Sequence, residues 1–354
     1  MPQGRCYTGG VFAVFNLKER GAMHMYTIRY AAVTNPGKRH GDNEDNFYAN
    51  GMIRHNVATA SLCAQGNTDE ESCVFAVCDG MGGYANGELA SLLAIETVVD
   101  TVKACKEKKI SLFEQNTEQE APKFFVNEAN ERICQLNEQK REESGSTIAL
   151  LECRGDTYTI ANVGDSRIYR LRDGKLEQLS IDHTVVARLI ASRQISKDEA
   201  KKHPRAHQLT QYLGINPEEM RIQPAMLRGP MKDNDCYLLC SDGLTDMVAD
   251  DEIERILKGE AGKESEAKGN NAKENEGKER RARKSDTKQS KTKEKLKEIT
   301  PREIAQELCK AALEGGGRDN ITVVVVQLKK KEEPPRAGRE SIWKRIWRKG
   351  AKNV

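Results

Sequence analysis

The sequence predicts an α+β fold with antiparallel sheets. Three observations carry that expectation: short β-compatible runs joined by hairpin signals, amphipathic helices grouped between them, and no internal repeat. Single helices alternating with strands would instead indicate a doubly wound parallel sheet.

The strands come in order. Tyr26 to Val33 is β-compatible and ends at the turn-forming Asn35-Pro36-Gly37. Val74 to Val77 is a short apolar run suited to a strand buried on both faces. Ser146 to Cys153 and Thr157 to Val163 flank Arg154-Gly155-Asp156, a hairpin signal, and Arg167 to Leu171 meets Leu176 to Leu179 across Arg172-Asp173-Gly174. Tyr237 to Cys240 and Ile321 to Leu328 complete the set. Helical spacing of Leu89, Leu92, Leu93, Val99 and Val102 predicts a helix over 87–105, and Phe125, Ala129, Ile133 and Leu136 predict one over 123–141. Shorter helices are expected at 185–192, 197–203, 246–257 and 301–314, the last stopped by Gly315-Gly316-Gly317.

Charge divides the chain. The 354 residues carry 57 Lys and Arg against 54 Asp and Glu, a net of +3, with 31% charged residues. Residues 258–300 hold 14 basic and 9 acidic side chains with almost nothing to bury, and 329–354 hold 10 basic and 3 acidic. Removing those nets of +5 and +7 leaves −9 for the rest. The expected organisation is an N-terminal extension over 1–25 and a folded domain over 26–328. A disordered charged insert at 258–300 interrupts that domain, and a basic tail at 329–354 follows it. Removing 259–299 is expected to leave folding and basal activity largely intact. An acidic body argues against an enzyme that grips nucleic acid, for which a basic cleft is expected. No stretch approaches the ~20 apolar residues of a membrane span.

The ten Cys include no CxxC pair, and most fall in apolar strand-like runs, such as Cys73 and Cys78 in CVFAVC. That pattern reads as buried thiols in a reducing cytosol. The six His do not fall at zinc-ligand spacing from the Cys.

The chemistry lies in carboxylates. Asp79, Asp165 and Asp242 each follow an apolar strand, Asp319 precedes one, and Glu44-Asp45 follow a Gly-containing turn. One such Asp is ordinarily a turn or cap residue. Several delivered to strand ends repel one another unless a cation neutralises them, and Mg²⁺ and Mn²⁺ take oxygen ligands of this kind. Asp79-Gly80-Met81-Gly82-Gly83 frees the backbone for positive φ and close approach to a ligand. Two ions ~3.5–4 Å apart hold a nucleophilic hydroxide and clamp a phosphoryl group. Neither G-x-S-x-G nor a P-loop occurs.

In this order, GKRHGDNEDNFYANG, FAVCDGMGG, SGSTIALL, IANVGDSRIYR, LLCSDGLTDMV and GGGRDNITVVVV closely resemble the protein phosphatase 2C family of metal-dependent Ser/Thr phosphatases. DHT at 182–184 and HPRAHQLTQYLG at 203–214 look like its bacterial branch. The match spans about 26–257 and 301–328. It implies a sandwich of two antiparallel β-sheets flanked by pairs of α-helices, with metals at one end. It also implies hydrolysis of phosphoserine and phosphothreonine in proteins, opposing a Ser/Thr kinase, by in-line attack of water or hydroxide bound to two metals. By resemblance the cofactors are two Mn²⁺ or Mg²⁺ ions, with a third weakly bound. Asp79 bridges the pair with the Gly80 carbonyl beside it, Asp242 and Asp319 complete one site, and Asp45 and, through water, Glu44 serve the other. Asp165 matches an acid for the third ion. Ser166 and Arg167 are expected to fix their loop, and 182–232 resemble the family's variable flap.

Two positions depart from the pattern. The family's phosphate-clamping Arg falls where this sequence has His40; Arg39, one earlier, is the candidate clamp. Met81 stands where some eukaryotic members have a His proposed as general acid, which leaves leaving-group protonation to metal-bound water. His183 and His203 are expected to be local hydrogen-bonding residues.

In ESIWKRIWRK, residues 340–349, Ile342, Trp343, Ile346 and Trp347 share a helical face among basic side chains. The pattern suits an anionic membrane surface; it equally fits a helix docked on the body, or an unstructured tail. The resulting expectation is a cytoplasmic monomer, peripheral to the inner face of the membrane in the first case, whose partners are phosphoproteins and not nucleic acid. A catalytically silent phosphoprotein-binding relative is the competing reading, and the full set of carboxylates favours activity.

Overall fold

The structure, a computed structural model, describes residues 26–39, 41–54, 61–82, 86–108, 110–113, 121–260 and 299–331. The N-terminal extension, most of the charged insert and the Trp-containing tail lie outside them.

Fourteen strands form among the described residues. One six-stranded sheet contains, in spatial order, β11 (Lys175–Gln178), β10 (Arg167–Arg172), β13 (Cys236–Cys240), β14 (Ile321–Lys330), β1 (Tyr26–Asn35) and β4 (Leu62–Thr68). The other runs β12 (Ala225–Pro230), β9 (Thr157–Val163), β8 (Ile148–Arg154), β5 (Ser72–Cys78), β2 (Asn46–Ala49) and β3 (Met52–Ile53). A two-stranded ribbon joins β6 (Gly80–Gly82) to β7 (Ser144–Ser146). Every pairing is antiparallel.

The apolar runs explain the layering. Along β14, Val324, Val326 and Leu328 enter the core between the sheets, while Ile321, Val323 and Val325 face the opposite side. There they meet α5 (Asp242–Thr245), α6 (Asp250–Leu257) and α7 (Pro301–Glu314). β5 behaves alike: Cys73, Phe75 and Val77 point between the sheets, and Val74, Ala76 and Cys78 meet α1 (Asn86–Lys108) and α2 (Ala121–Lys140). An uninterrupted apolar strand is what burial on both faces requires. Each of these valines contributes about 1.5–3 kcal/mol by leaving water.

Both expected hairpins form, β8–β9 and β10–β11. The helix expected over 246–257 begins only at Asp250, as α6; α5 precedes the expected range, and Asp246 to Ala249 separate the two. Two short helices, α3 (Val185–Ala191) and α4 (Lys197–Ala200), lie in the segment expected to be a flap.

The ends of the expected insert belong to the body. Lys258 caps α6 and pairs with Glu254, while Thr300 opens α7 with a reciprocal capping box to Glu303. Ile299 packs with the core beneath α6 and α7, and a Cβ at Gly259 would lie 3.1 Å from its Cγ2. The segment between Gly259 and Ile299 therefore leaves and rejoins the domain at one point.

Candidate active site

Antiparallel register gathers the strand-end carboxylates. Asp79 follows β5, whose last residue Cys78 pairs with Asn46, the residue after Asp45. Asp242 follows β13, whose Cys240 pairs with both Arg167 and Val323; Asp165 lies just before that Arg and Asp319 just before β14. Asp45, Asp79, Asp165, Asp242 and Asp319 thus meet at one end of the sandwich, and electrostatic coupling links them.

Asp45 is fully buried. The Ser241 hydroxyl donates to its Oδ2 at 2.7 Å, and its Oδ1 is buried without a hydrogen-bond partner among the described residues. Burial pushes its carboxyl up to about 6 against the stabilising Ser241 bond. The Asp79 carboxyl is held well above the usual range, first by burial and then by Asp45, Asp242, Asp165 and Asp319. Asp242 is raised in the same way, by burial and then by Asp165, Asp246, Asp319 and Asp45. Burial followed by Asp182 raises Asp165 to about 6, with Arg167 opposing.

Backbone contacts fix where these groups sit. The Asp79 N–H donates to Thr147 Oγ1 at 3.0 Å, and its carbonyl accepts from the Thr147 N–H at 2.8 Å and the Ser146 hydroxyl at 3.1 Å. A Cβ at Gly80 would lie 2.0 Å from the Gly87 carbonyl oxygen and 2.7 Å from that of Glu44, so only glycine lets β6 pass under α1. Positive φ occurs in this run at Gly82, with φ 155°, whereas at Gly80 the demand is space. Gly243 is equally confined, its Cβ position lying 1.9 Å from the Asn320 carbonyl oxygen. Glu44 lies with its carboxylate against Gly87, in the first turn of α1. Asp319 is exposed and accepts from the Asn320 N–H at 2.8 Å. Arg39 is exposed in the turn after β1, and His40 lies outside the described residues.

Several supporting residues escaped the sequence reading. The Asn320 amide donates to the carbonyls of Pro36 and Asp42, both at 3.0 Å, and accepts from the Glu44 N–H at 2.7 Å, tying the loop before β2 to the start of β14. Asn43 donates to Thr34 Oγ1 at 2.8 Å and accepts from the Asp45 N–H. Arg54, fully buried, donates to the Asn43 carbonyl at 2.5 Å and pairs with Glu88 at 3.2 Å. Asn43 and Asn320 stand beside acids already singled out, which was the available signal; nothing local marks Arg54.

Arg167 grips Asp182 through Nε and Nη2, at 2.7 Å for the latter, and donates to the Tyr169 hydroxyl at 3.0 Å; the Ser166 and Thr147 hydroxyls meet at 2.6 Å. His183 accepts from the Gly164 N–H, and His203 from the Arg205 N–H. Among the described residues, Cys73, Cys78, Cys153, Cys236, Cys240 and Cys309 are buried free thiols, Cys63 is exposed, and Cys105 and Cys134 are half-buried. A cavity of about 220 Å³ lies at the far end of β5, beside Ser72, Val102 and Lys106, away from the acids.

A family model described as protein phosphatase 2C matches residues 62–271. The chain belongs to the protein phosphatase 2C family. The serine/threonine phosphatase stp of Listeria monocytogenes is 36% identical over 210 residues, covering 59% of this chain and 80% of that one. The serine/threonine protein phosphatase PstP of Mycobacterium tuberculosis is 28% identical over 305 residues, 85% of this chain but 45% of PstP. The crystal structure of the M. tuberculosis phosphatase superposes with a TM-score of 0.60 at 27% identity, covering 86% of this chain and 99% of that one. That of the PstP catalytic domain in complex with two manganese ions gives 0.59 at 26%, covering 86% and 100%. The sandwich of two antiparallel sheets flanked by helices is thus that of the family's bacterial phosphatases. No helix among the described residues is long and apolar enough to cross a membrane.

The acids fit divalent cations. They offer only oxygen donors, they raise one another's proton affinity, and one carboxylate oxygen of Asp45 is buried without a hydrogen-bond partner among the described residues.

Proposed function

We propose that the chain hydrolyses phosphoserine and phosphothreonine in proteins, opposing a Ser/Thr kinase, with Mn²⁺ or Mg²⁺ as cofactor. The observation that carries this reading is the antiparallel register that brings Asp45, Asp79, Asp165, Asp242 and Asp319 to one end of the sandwich, where burial and the neighbouring acids hold the Asp79 carboxyl above the usual range. Such a set is relaxed only when cations or protons share it. Asp45, Asp79, Asp242, Asp319 and the Gly80 carbonyl would hold two ions, Glu44 would reach them through water, and Asp165 would serve a third. Bound ions of this class activate water as the nucleophile for in-line attack and neutralise phosphoryl oxygens.

The chain's own residues supply position. Ser241 orients Asp45, Ser146 and Thr147 hold the Asp79 backbone, and Asn320 locks the Glu44 loop against β14. Arg39, on an exposed turn tethered by the Lys38 N–H to the Gly317 carbonyl, is assigned as the phosphate clamp. The names of the Listeria and Mycobacterium relatives support the substrate class. A cytoplasmic setting, with 340–349 at the inner membrane face, belongs to the same proposal.

The test is Mn²⁺-dependent turnover of p-nitrophenyl phosphate and of a phosphothreonine peptide. Asp79→Asn and Asp242→Asn should each lower it by at least about 100-fold, the scale of losing one preorganised electrostatic group. Folded wild-type protein inert with both Mn²⁺ and Mg²⁺ would reject the reading.

A further inference from the structure

The cavity of about 220 Å³ at the far end of β5 lies where α1, the segment 110–113 and β8 meet. Val74, Val102, Ile110 and Leu112 supply apolar walls, and Glu70 and Glu71 stand at its opening. The walls are held in place before anything enters. Glu152, only 2% exposed, accepts from the Ser72 hydroxyl at 2.9 Å and from the Leu112 N–H at 3.2 Å. Lys106 and Arg154 also line the cavity, and Lys106 pairs with Glu70 at 2.7 Å. Glu71 is exposed and makes no ion pair among the described residues.

The Trp-containing tail starts beside this cavity. β14 pairs antiparallel with β1, and β1 with β4, so Lys330 and the β4–β5 turn share one end of the sandwich. Lys331, the last residue described, pairs with Asp69 at 3.3 Å, and Asp69 adjoins Glu70 in that turn. Trp343 follows Lys331 by 12 residues, a stretch that reaches roughly 40 Å when extended. A tether of this kind holds its cargo at an effective concentration of about a millimolar, so even a weak contact is populated.

We propose that this cavity seats one indole of the chain's own tail, Trp343 or Trp347. Its 220 Å³ exceeds the ~150 Å³ apolar cavity that holds benzene, as a bicyclic ring requires. The apolar walls take the ring, and Lys106 and Arg154 supply cations for its π face. Asp69, Glu70 and Glu71 complement Lys344, Arg345, Arg348 and Lys349, which surround the two Trp in the tail. A seated tail is withdrawn from the inner membrane face, so the cavity and anionic lipid compete for the same side chains. The seat itself is independent of the proposed chemistry; only the competition rests on the setting proposed for the tail.

The experiment uses the full chain as wild type, Trp343→Ala/Trp347→Ala, Glu71→Lys and Cys105→Phe, with folding checked by thermal melts. Cys105 lines the cavity, so a Phe there fills it from the wall, whereas Glu71→Lys alters only an exposed charge. Both Trp of the chain lie in the tail, so intrinsic emission reports that segment alone. Without vesicles, wild-type emission should be blue-shifted and resist acrylamide quenching. Cys105→Phe should abolish that shielding and Glu71→Lys should reduce it. Alkylation of Cys105 by iodoacetamide, read by peptide mass mapping, should be faster in the double Trp variant than in wild type. A tail seated about 90% of the time should bind phosphatidylglycerol vesicles about 10-fold more tightly once Cys105→Phe blocks the seat. Wild-type indoles as exposed as in the urea-unfolded chain would overturn the proposal. So would shielding that neither cavity variant relieves, shielding lost on dilution, which assigns the seat to a second copy, or equal vesicle affinity in wild type and Cys105→Phe. Turnover of p-nitrophenyl phosphate separates the two readings: its absence with shielding intact sinks the proposed chemistry and leaves the seat standing.

Discussion

At the scale of single residues, Asp45 is the clearest case of a group whose cost in the fold bears on the proposed metal site. Its folded carboxyl titrates at about 6, against an ordinary value of 3.8. A raised carboxyl means the folded state binds the proton more tightly than the unfolded chain. The stability it brings is full below the unfolded value and lost as pH rises through about 6. Metal-free protein, in chelator, should therefore melt at a higher temperature near pH 5 than near pH 7 when Asp45 is present. Asp45→Asn should flatten that slope. Saturating Mn²⁺ should reverse it, because the ion binds the deprotonated carboxylates. Thermal melts across that pH range check all three outcomes.

The acids themselves were legible in the sequence, since each adjoins an apolar run. Their supports were not. Asn320 acts on Pro36, Asp42 and Glu44 from the other end of the chain, and Arg54 acts on the Asn43 carbonyl from beyond β3. Hydrogen bonds between segments so far apart leave no periodicity to read.

Among the elements, β1, β5 and β14 were legible because their residues are apolar on one or both faces. β4 and β12 were not: each is an edge strand, and β4 alternates half-buried and exposed positions with polar residues such as Gln65 and Asn67. Met226 and Leu227 of β12 remain exposed, so no core demands them. The ribbon of β6 and β7 is too short for a pattern, yet it decides how closely α1 approaches the acids. Gly80→Ala tests that contact. With a Cβ position 2.0 Å from the Gly87 carbonyl, the backbone of α1 or β6 must shift, at a cost of roughly 1–3 kcal/mol. Denaturant unfolding should show that loss, and Mn²⁺ affinity should fall with it because Asp79 and Glu44 sit on either side of the contact. Gly51→Ala, in a turn with open space around it but positive φ, serves as a control for backbone strain without crowding.

For the whole molecule, the charge arithmetic separates an acidic body from basic appendages, and the structure adjusts where one of them begins. Residues 258–260 and 299–300 belong to the body, so the stretch proposed as dispensable narrows to 261–298. Replacing it with a few Gly and Ser residues should leave cooperative unfolding and Mn²⁺-dependent turnover of a small phosphate ester near wild type, because Gly259 and Ile299 already touch. Closing a shorter loop gains only about 0.6 kcal/mol for each halving of its length. Deletion through Ile299 should cost more, as that residue packs against the core and accepts from the Gln327 side chain.

The position of β14 carries a consequence for synthesis. The last strand described lies between β13 and β1, near the middle of its sheet. Among the described strands β1 is made first, and it must wait for β14 before the hydrogen bonds between the two exist. Asp319 emerges just ahead of that strand, so a nascent or prematurely terminated chain lacks both its sheet centre and a carboxylate proposed to hold metal. On this geometry the site assembles only once β14 has been made, and a message broken ahead of it yields no complete site.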